Sequence, residues 1–339
     1  MAKLLFPLLF LLFTSVFAGL RESWKAYKVE YGKTYASRIE DEARFHVFLQ
    51  QKRMVEEHNK RFKAGLESFS MRLQKFSDLF PQELQQMGGC FKANSISGTI
   101  GVGDRLHALV EEAERKTTYE DIRKNVDWRK EHKVTSIKDQ KMNKCGSCWA
   151  EAAVAAIESH HAIAGHPLVN LSVQQVVDCD DGDGGCEGGF SSGAMKYIYE
   201  TGGLETDKVY PYKAKDSTCH SDSAAFVARL SGYQSKSAMS ELAMARIVDK
   251  HGPIAIAIAQ SGKYWNYHKG VLEDQSCSQL PLTHEVTIVG YNIEESTEKP
   301  YWIIKNSYGT KIGDHGYWRF LFGNNTCGLT SSVAIPELR

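Results

Sequence analysis

The chain has 339 residues, more than one ordinary domain needs, which leaves room for a removable part ahead of a catalytic part. Its 41 basic residues balance its 41 acidic ones, so no global field draws nucleic acid or an anionic membrane, and nucleic-acid binding is set aside. A hydrophobic fraction of 42%, without repeats or low-complexity tracts, is that of an ordinary globular protein.

The first element reads as a secretory signal over residues 1–18. Lys3 supplies the positive end, residues 4–17 are mostly apolar, and Val16-Phe17-Ala18 offers a cut after Ala18. The run is too short for a membrane span, and no later segment approaches the roughly 20 apolar residues one requires. A soluble protein of the secretory pathway is expected, in a lysosome, endosome or related granule, or outside the cell. The eight cysteines then follow an oxidising route in which disulfides persist. Two N-x-[ST] sequons, at Asn170 and Asn324, fit glycosylation on that route.

Residues 21–59 have a helical pattern. Trp24, Tyr27 and Tyr31 lead into a charged stretch where Glu40, Arg44, Phe48, Gln51, Val55 and Asn59 recur at steps of three or four and share one helix face. An amphipathic helix with ordinary i,i+4 pairs would explain that spacing alone. Gln74-Lys75-Phe76-Ser77-Asp78-Leu79 follows. Residues 91–120 are poor in apolar side chains and hold Gly98, Gly101 and Gly103, which reads as an extended stretch. Asn125-Val126-Asp127-Trp128-Arg129 opens a new unit.

Beyond it, helices are predicted over 148–164, stopped by Gly165 and Pro167, and over 172–178, 191–200 and 241–250. After His251-Gly252-Pro253 the pattern turns to strands at 254–258, 286–291, 302–305 and 316–320. A helix-rich half followed by a sheet-rich half is an α+β arrangement, with a cleft between the halves as the natural place for a site.

Within Cys145-Gly146-Ser147-Cys148-Trp149, Cys148 stands where a helix begins. Unpaired N–H groups and the helix dipole stabilise a thiolate there and make it a usable nucleophile. His284 lies in Leu282-Thr283-His284-Glu285-Val286, and Asn306 lies in Lys305-Asn306-Ser307-Tyr308-Gly309. A C-x-x-C pair in an oxidising compartment can also be a redox dithiol, and that reading predicts a Cys145–Cys148 disulfide.

With C-G-[SA]-C-[WY] and the downstream His and Asn, the sequence resembles a papain-like cysteine peptidase of the cathepsin type, over nearly the whole chain. The resemblance implies a papain-like two-lobed fold, a helical lobe and a β-barrel-like lobe with a cleft between, behind a helical inhibitory pro-domain. The face from Glu40 to Asn59 matches the E-R-F-N-I-N pattern of such pro-segments, with Gln51 and Val55 for Asn and Ile. Gln74, Phe76 and Asp78 match N-x-F-x-D, with Gln for Asn. Residues 19–122 then form the pro-segment, with its inhibitory domain at about 23–80, its extended part crossing the cleft and a cut near 121–124; residues 123–339 form the peptidase domain.

The same resemblance implies the roles. Cys148 attacks the peptide carbonyl, His284 shuttles the proton, Asn306 orients the imidazole, and Gln140 with the Cys148 N–H binds the oxyanion. Gly188 and Gly189 meet an extended substrate. Phe190, Ser191, Ala257 and Glu285 line the pocket for the second residue before the cut, and Tyr308 covers the His–Asn pair. Cys145 pairs with Cys186, Cys179 with Cys219, and Cys277 with Cys327, leaving Cys148 and Cys90 free. No metal or organic cofactor is needed. The partners are peptide and protein substrates, the chain's own pro-segment and protein inhibitors of cysteine proteases, and the protein is a monomer.

Departures from the family pattern bear on activity. Gln140 stands eight residues before Cys148, two more than in relatives, so residues 141–144 should leave it less constrained and the enzyme slow. Glu151 replaces a Phe, Tyr308 and Ile312 replace tryptophans, and Thr283 and Glu285 flank the His unusually. The chain is nearest to the cathepsin L, F and W group, and Ile137-Lys138-Asp139-Gln140-Lys141 points to a W-like member. A weakly active or inactive homologue that works by binding, and a thiol-disulfide oxidoreductase, are the alternative readings.

Overall fold

The computed structural model describes residues 5–87, 89–90, 100–141, 144–294 and 299–339. Two long helices open the chain, α1 (Leu5–Tyr31) and α2 (Arg38–Lys63), followed by β1 (Phe69–Met71), α3 (Pro81–Met87), β2 (Ile100–Val102) and α4 (Asp104–Lys116). Ser37 caps α2 by accepting from the Glu40 N–H, while the Glu40 carboxylate accepts from the Ala36 N–H, which satisfies two donors at the helix start. Trp24, Tyr27, Phe45 and Phe48 form a small aromatic core between α1 and α2. Helix α1 runs unbroken through Ala18, where the signal is expected to be cut; residues 1–4 of that signal lie outside the described residues.

The α2 face does more than pair with itself. Arg44 reaches Glu40 at 2.9 Å and forks onto Glu83 at 2.8 and 2.9 Å. Gln51 accepts from Asn266 of the following domain, and Asn59 exchanges two hydrogen bonds with the Met71 backbone.

The stretch expected to be extended is not extended throughout. Residues 91–99, with Gly98, lie outside the described residues, but residues 104–116 are helix α4. Leu106, Leu109, Val110 and Ala113 recur at helical spacing and form an apolar stripe, overlooked beside the three glycines. Gly103 turns the chain into α4 with φ 114°, a conformation glycine adopts readily.

The remaining elements are β3 (Asn125–Asp127), α5 (Cys148–Ile163), α6 (Val173–Cys179), α7 (Ser191–Thr201), β4 (Leu230–Lys236), α8 (Glu241–Lys250), β5 (Ile254–Ile258), α9 (Gly262–Asn266), β6 (Tyr267–Gly270), β7 (His284–Asn292), β8 (Tyr301–Lys305), β9 (Tyr317–Leu321) and β10 (Val333–Leu338). The main sheet is antiparallel in the order β2-β4-β10-β5-β7-β8-β9, with β3 also on β7. Strands β4 and β10 escape a period-two reading because β4 buries Gln234 and Ser235 beside its apolar residues. Helix α5, buried from Cys148 to Ala162, packs on β7, β5 and β10 and forms the wall between the two lobes.

Residues 69–116 dock on the following domain by adding strands as well as by packing. β2 pairs with the edge strand β4, β1 pairs with β6, and α4 lies on α8. Lys236–Glu111 at 2.7 Å and Arg246–Glu112 at 3.1 Å tie α4 down. Gln74 donates to the Trp265 and Tyr267 carbonyls and accepts from the Gly313 N–H, and Phe76 is buried against Trp265 and Tyr308. Among the described residues no helix is long and apolar enough to cross a membrane.

Candidate active site

Three elements bring the predicted residues together. Cys148 is the first residue of α5, His284 starts β7, and Asn306 follows β8. His284 is fully buried, with Nε2 2.8 Å from Asn306 Oδ1. Because that oxygen only accepts, the ring proton is assigned to Nε2 and the Nδ1 lone pair faces the sulfur. Asn306 is itself held, donating to the Tyr264 hydroxyl at 2.7 Å and accepting from the Ser307 N–H at 2.8 Å. Burial pushes the His284 pKa down to about 4, against the opposing effect of the Asn306 bond, so the imidazole is neutral here.

Gln140 is fully buried and is linked through the Tyr212 hydroxyl to Ser147, the residue before Cys148. Its N–H donates to the Ser307 carbonyl at 2.8 Å, its Oε1 accepts from the Ser307 hydroxyl at 2.6 Å, and its carbonyl accepts from the Tyr212 hydroxyl at 2.7 Å. The longer loop therefore does not loosen it. Residues 142–143 lie outside the described residues, while the Lys144 and Cys145 N–H groups donate to the Lys141 carbonyl. Among the described residues the buried Gln140 Nε2 has no hydrogen-bond partner, an uncommon and costly state for an amide donor.

The expectation that Cys148 and Cys90 stay unpaired is overturned: the structure joins them in a disulfide. Cys90 lies 58 residues upstream, and no local pattern links the two. Docking of the pro-segment carries Cys90 into the cleft, where its carbonyl accepts from the Gly189 N–H at 3.0 Å and its Sγ stands 3.6 Å from His284 Nδ1. A Cβ on Gly188 would stand 2.7 Å from the Cys90 carbonyl oxygen, so glycine there is what allows the Cys90 backbone so close. Cys145 is joined to Cys186, Cys179 to Cys219 and Cys277 to Cys327. The Cys145–Cys148 bridge of a redox dithiol is not formed.

Glu285 and Ser191 meet beside the sulfur. The Glu285 N–H donates to Cys148 Sγ at 3.3 Å, and its carboxyl accepts from the Ser191 N–H at 2.7 Å and touches the Ser191 hydroxyl. Burial raises the Glu285 pKa to about 8, so the group is a neutral acid below that pH. Ala257 faces Glu285 across the β5–β7 pair, and Phe190 caps α7 beside them. Tyr308 stacks on His284, with its hydroxyl accepting from Gln260 at 2.8 Å. Ile312 is buried in the core of the sheet lobe. Asn170 and Asn324 are exposed, whereas Ser172 and Thr326 of their sequons are buried.

A charged cluster lies behind the site, and of its glutamates the sequence pattern singled out Glu151 but not Glu158. Glu158 is fully buried in α5, bound by Lys138 at 2.7 Å, the Thr135 hydroxyl at 2.5 Å and the Leu171 N–H at 2.8 Å. Burial pushes its carboxyl up, but Lys138 and Lys305 outweigh that and hold it below the usual range. Glu151, nearly two helical turns before it, is also buried; burial lifts it to about 7 against the pull of Lys138. A glutamate inside the apolar run of α5 was the available signal for Glu158.

Comparison with known proteins agrees with this geometry. Residues 122–337 match the family model described as papain family cysteine protease, and residues 24–84 match the cathepsin propeptide inhibitor domain (I29). A cathepsin L-like peptidase of Aedes aegypti is 36% identical over 95% of this chain and 94% of its own length. Cathepsin L2 of Homo sapiens is 33% identical over 94% of this chain and 93% of its own. The structure of digestive procathepsin L2 proteinase from Tenebrio molitor larval midgut superposes with TM-score 0.81 at 31% identity, covering 94% of this chain and all of that one. These relatives carry cathepsin L names rather than W names.

Proposed function

The chain belongs to the papain family of cysteine proteases, a cysteine peptidase made as a latent precursor, and on that premise we propose that Cys148, His284, Asn306 and Gln140 are its catalytic residues. The buried Gln140 Nε2, without a partner among the described residues, carries this reading, because an oxyanion forming beside Cys148 would be the partner that the amide lacks. The Cys148 N–H, in the first turn of α5, is the second donor.

Once its sulfur is free, Cys148 passes its proton to His284 Nδ1 and attacks the peptide carbonyl as a thiolate. The imidazolium protonates the leaving amine, and the neutral ring then activates the water that releases the acyl group. Asn306 Oδ1 holds the Nε2–H throughout and keeps Nδ1 aimed at the sulfur. The thiolate offsets the burial that depresses His284 in the blocked precursor.

An extended peptide is proposed to run along Gly188 and Gly189, with its second residue before the cut among Phe190, Ser191, Ala257 and Glu285. Signal cleavage after Ala18 and maturation near residues 121–124 would leave residues 123–339 as a monomeric peptidase. The secretory pathway, ending in lysosome, endosome, granule or extracellular space, with sugar on the exposed Asn170 and Asn324, completes the reading; protein inhibitors of cysteine proteases are its further partners. In an active-site titration of thiol-treated, acid-matured protein, a thiol-directed epoxide should label Cys148 stoichiometrically. Turnover that persists in Cys148→Ala would overturn the assignment.

A further inference from the structure

We propose that the Cys90–Cys148 disulfide is a thiol-operated latch, so that this precursor needs reduction as well as proteolysis before it can act. The proposal rests on Cys148 being the nucleophile. While the bond stands, Cys148 holds no thiolate, and only a thiolate attacks. A cut near residues 121–124 leaves the pro-segment attached through Cys90, which also keeps its hydrogen bond from Gly189 in the substrate groove.

Cys90 is the sulfur to be attacked. Cys148 is then the leaving thiolate, at a helix N-terminus that stabilises it and beside the Glu285 N–H. A low-molecular-weight monothiol, as its thiolate, attacks Cys90 Sγ; the Cys90–Cys148 bond breaks and a mixed disulfide forms on Cys90. A second monothiol attacks the outer sulfur of that mixed disulfide and releases Cys90. Two thiols become one disulfide, and two electrons reduce the latch. Of the two protons they give up, one ends on Cys90 and the other on His284 Nδ1, which lies with both sulfurs inside a 4.8 Å cluster.

Burial sets the order of events. Cys148 is fully buried and Cys90 is 2% exposed, so the monothiol reaches the bond only after the pro-segment has loosened. Loosening alone leaves the nucleophile oxidised, and reductant alone meets a closed site. The two signals act together.

The test uses full-length precursor, purified without thiol and cut at acid pH by an aspartic protease. Without monothiol, the Cys90 fragment should stay attached on a non-reducing gel, and epoxide labelling of Cys148 should be lower by about tenfold or more. With monothiol the fragment should leave and labelling should become complete. Cys90→Ser should label without monothiol. Equal labelling of the wild type with and without monothiol overturns the latch, as does recovery of Cys90 and Cys148 as separate alkylated thiols in a peptide map, which needs no variant. If cut Cys90→Ser takes no epoxide even with monothiol while the wild-type map contains the Cys90–Cys148 peptide, it is the nucleophile assignment that fails and not the bond.

Discussion

Tyr308 lies over the His284 imidazole with ring centroids 4.7 Å apart and planes 24° apart, and is itself backed by Trp265 at 5.9 Å. The stack keeps water from the 2.8 Å bond between His284 and Asn306, where it would compete for Oδ1. Tyr308→Ala should lower kcat and broaden the pH–rate profile, whereas Tyr308→Phe, which keeps the stacked ring and loses the hydroxyl's contacts with Gln260 and Tyr264, should stay closer to wild type. Equal damage in both variants would place the effect in the hydroxyl.

Gln140→Ala removes the proposed oxyanion donor. One such donor is worth about 2.7–4 kcal/mol in the transition state, so kcat should fall by roughly 10²–10³ with little change in KM. A rise in KM with kcat unchanged would assign Gln140 to ground-state binding.

Glu158 and Glu285 should give opposite pH dependences. The Glu158 pKa is depressed in the folded state, so its contribution is present above the unfolded value of about 4.3 and is lost as pH falls through the folded value. Glu158→Ala strands Lys138 and should destabilise the fold by about 3–5 kcal/mol at neutral pH, read from denaturant unfolding. Glu285 is raised to about 8, so stability linked to it is full below about 4.3 and is lost as pH climbs toward 8. Glu285→Gln should flatten that alkaline decline in thermal midpoint; an unchanged slope would show that the carboxyl does not titrate there.

Acid should favour release of the pro-segment. The hydrogen bonds of Arg44 hold Glu83 below the usual carboxylate range, and those of Lys236 do the same for Glu111. The Glu83 pKa is depressed within the folded pro-segment and that of Glu111 across its contact with β4, so the first supports the pro-segment's own fold and the second its docking; both contributions stand above about pH 4.3 and fade as pH drops through the folded values. With thiol present, maturation should speed up on acidification, and Glu83→Gln should mature faster at neutral pH with a shallower acid dependence. Neutral maturation as fast as acid maturation in the wild type would refute this.

Local pattern was enough to recover the helices and strands that position the site. Cys148 at a helix start, His284 at a strand start and Asn306 just past a strand follow from capping, periodicity and the family motif, because each rests on interactions within one turn or one strand. The α4 stripe is equally local, but it is short and follows glycines in a segment poor in apolar side chains, which together suggest an extended chain. Three features came from tertiary structure alone. The Cys90–Cys148 bond depends on how α2, β1 and Gln74 seat the pro-segment, a sum of contacts spread over more than one lobe. The protonation of Glu285 depends on the water-free space that β5, β7 and α7 enclose. The fixed place of Gln140, despite its longer loop, comes from Ser307 and Tyr212, which are distant in sequence and adjacent in space. Burial and long-range pairing are properties of the packed chain, and no window of neighbouring residues contains them.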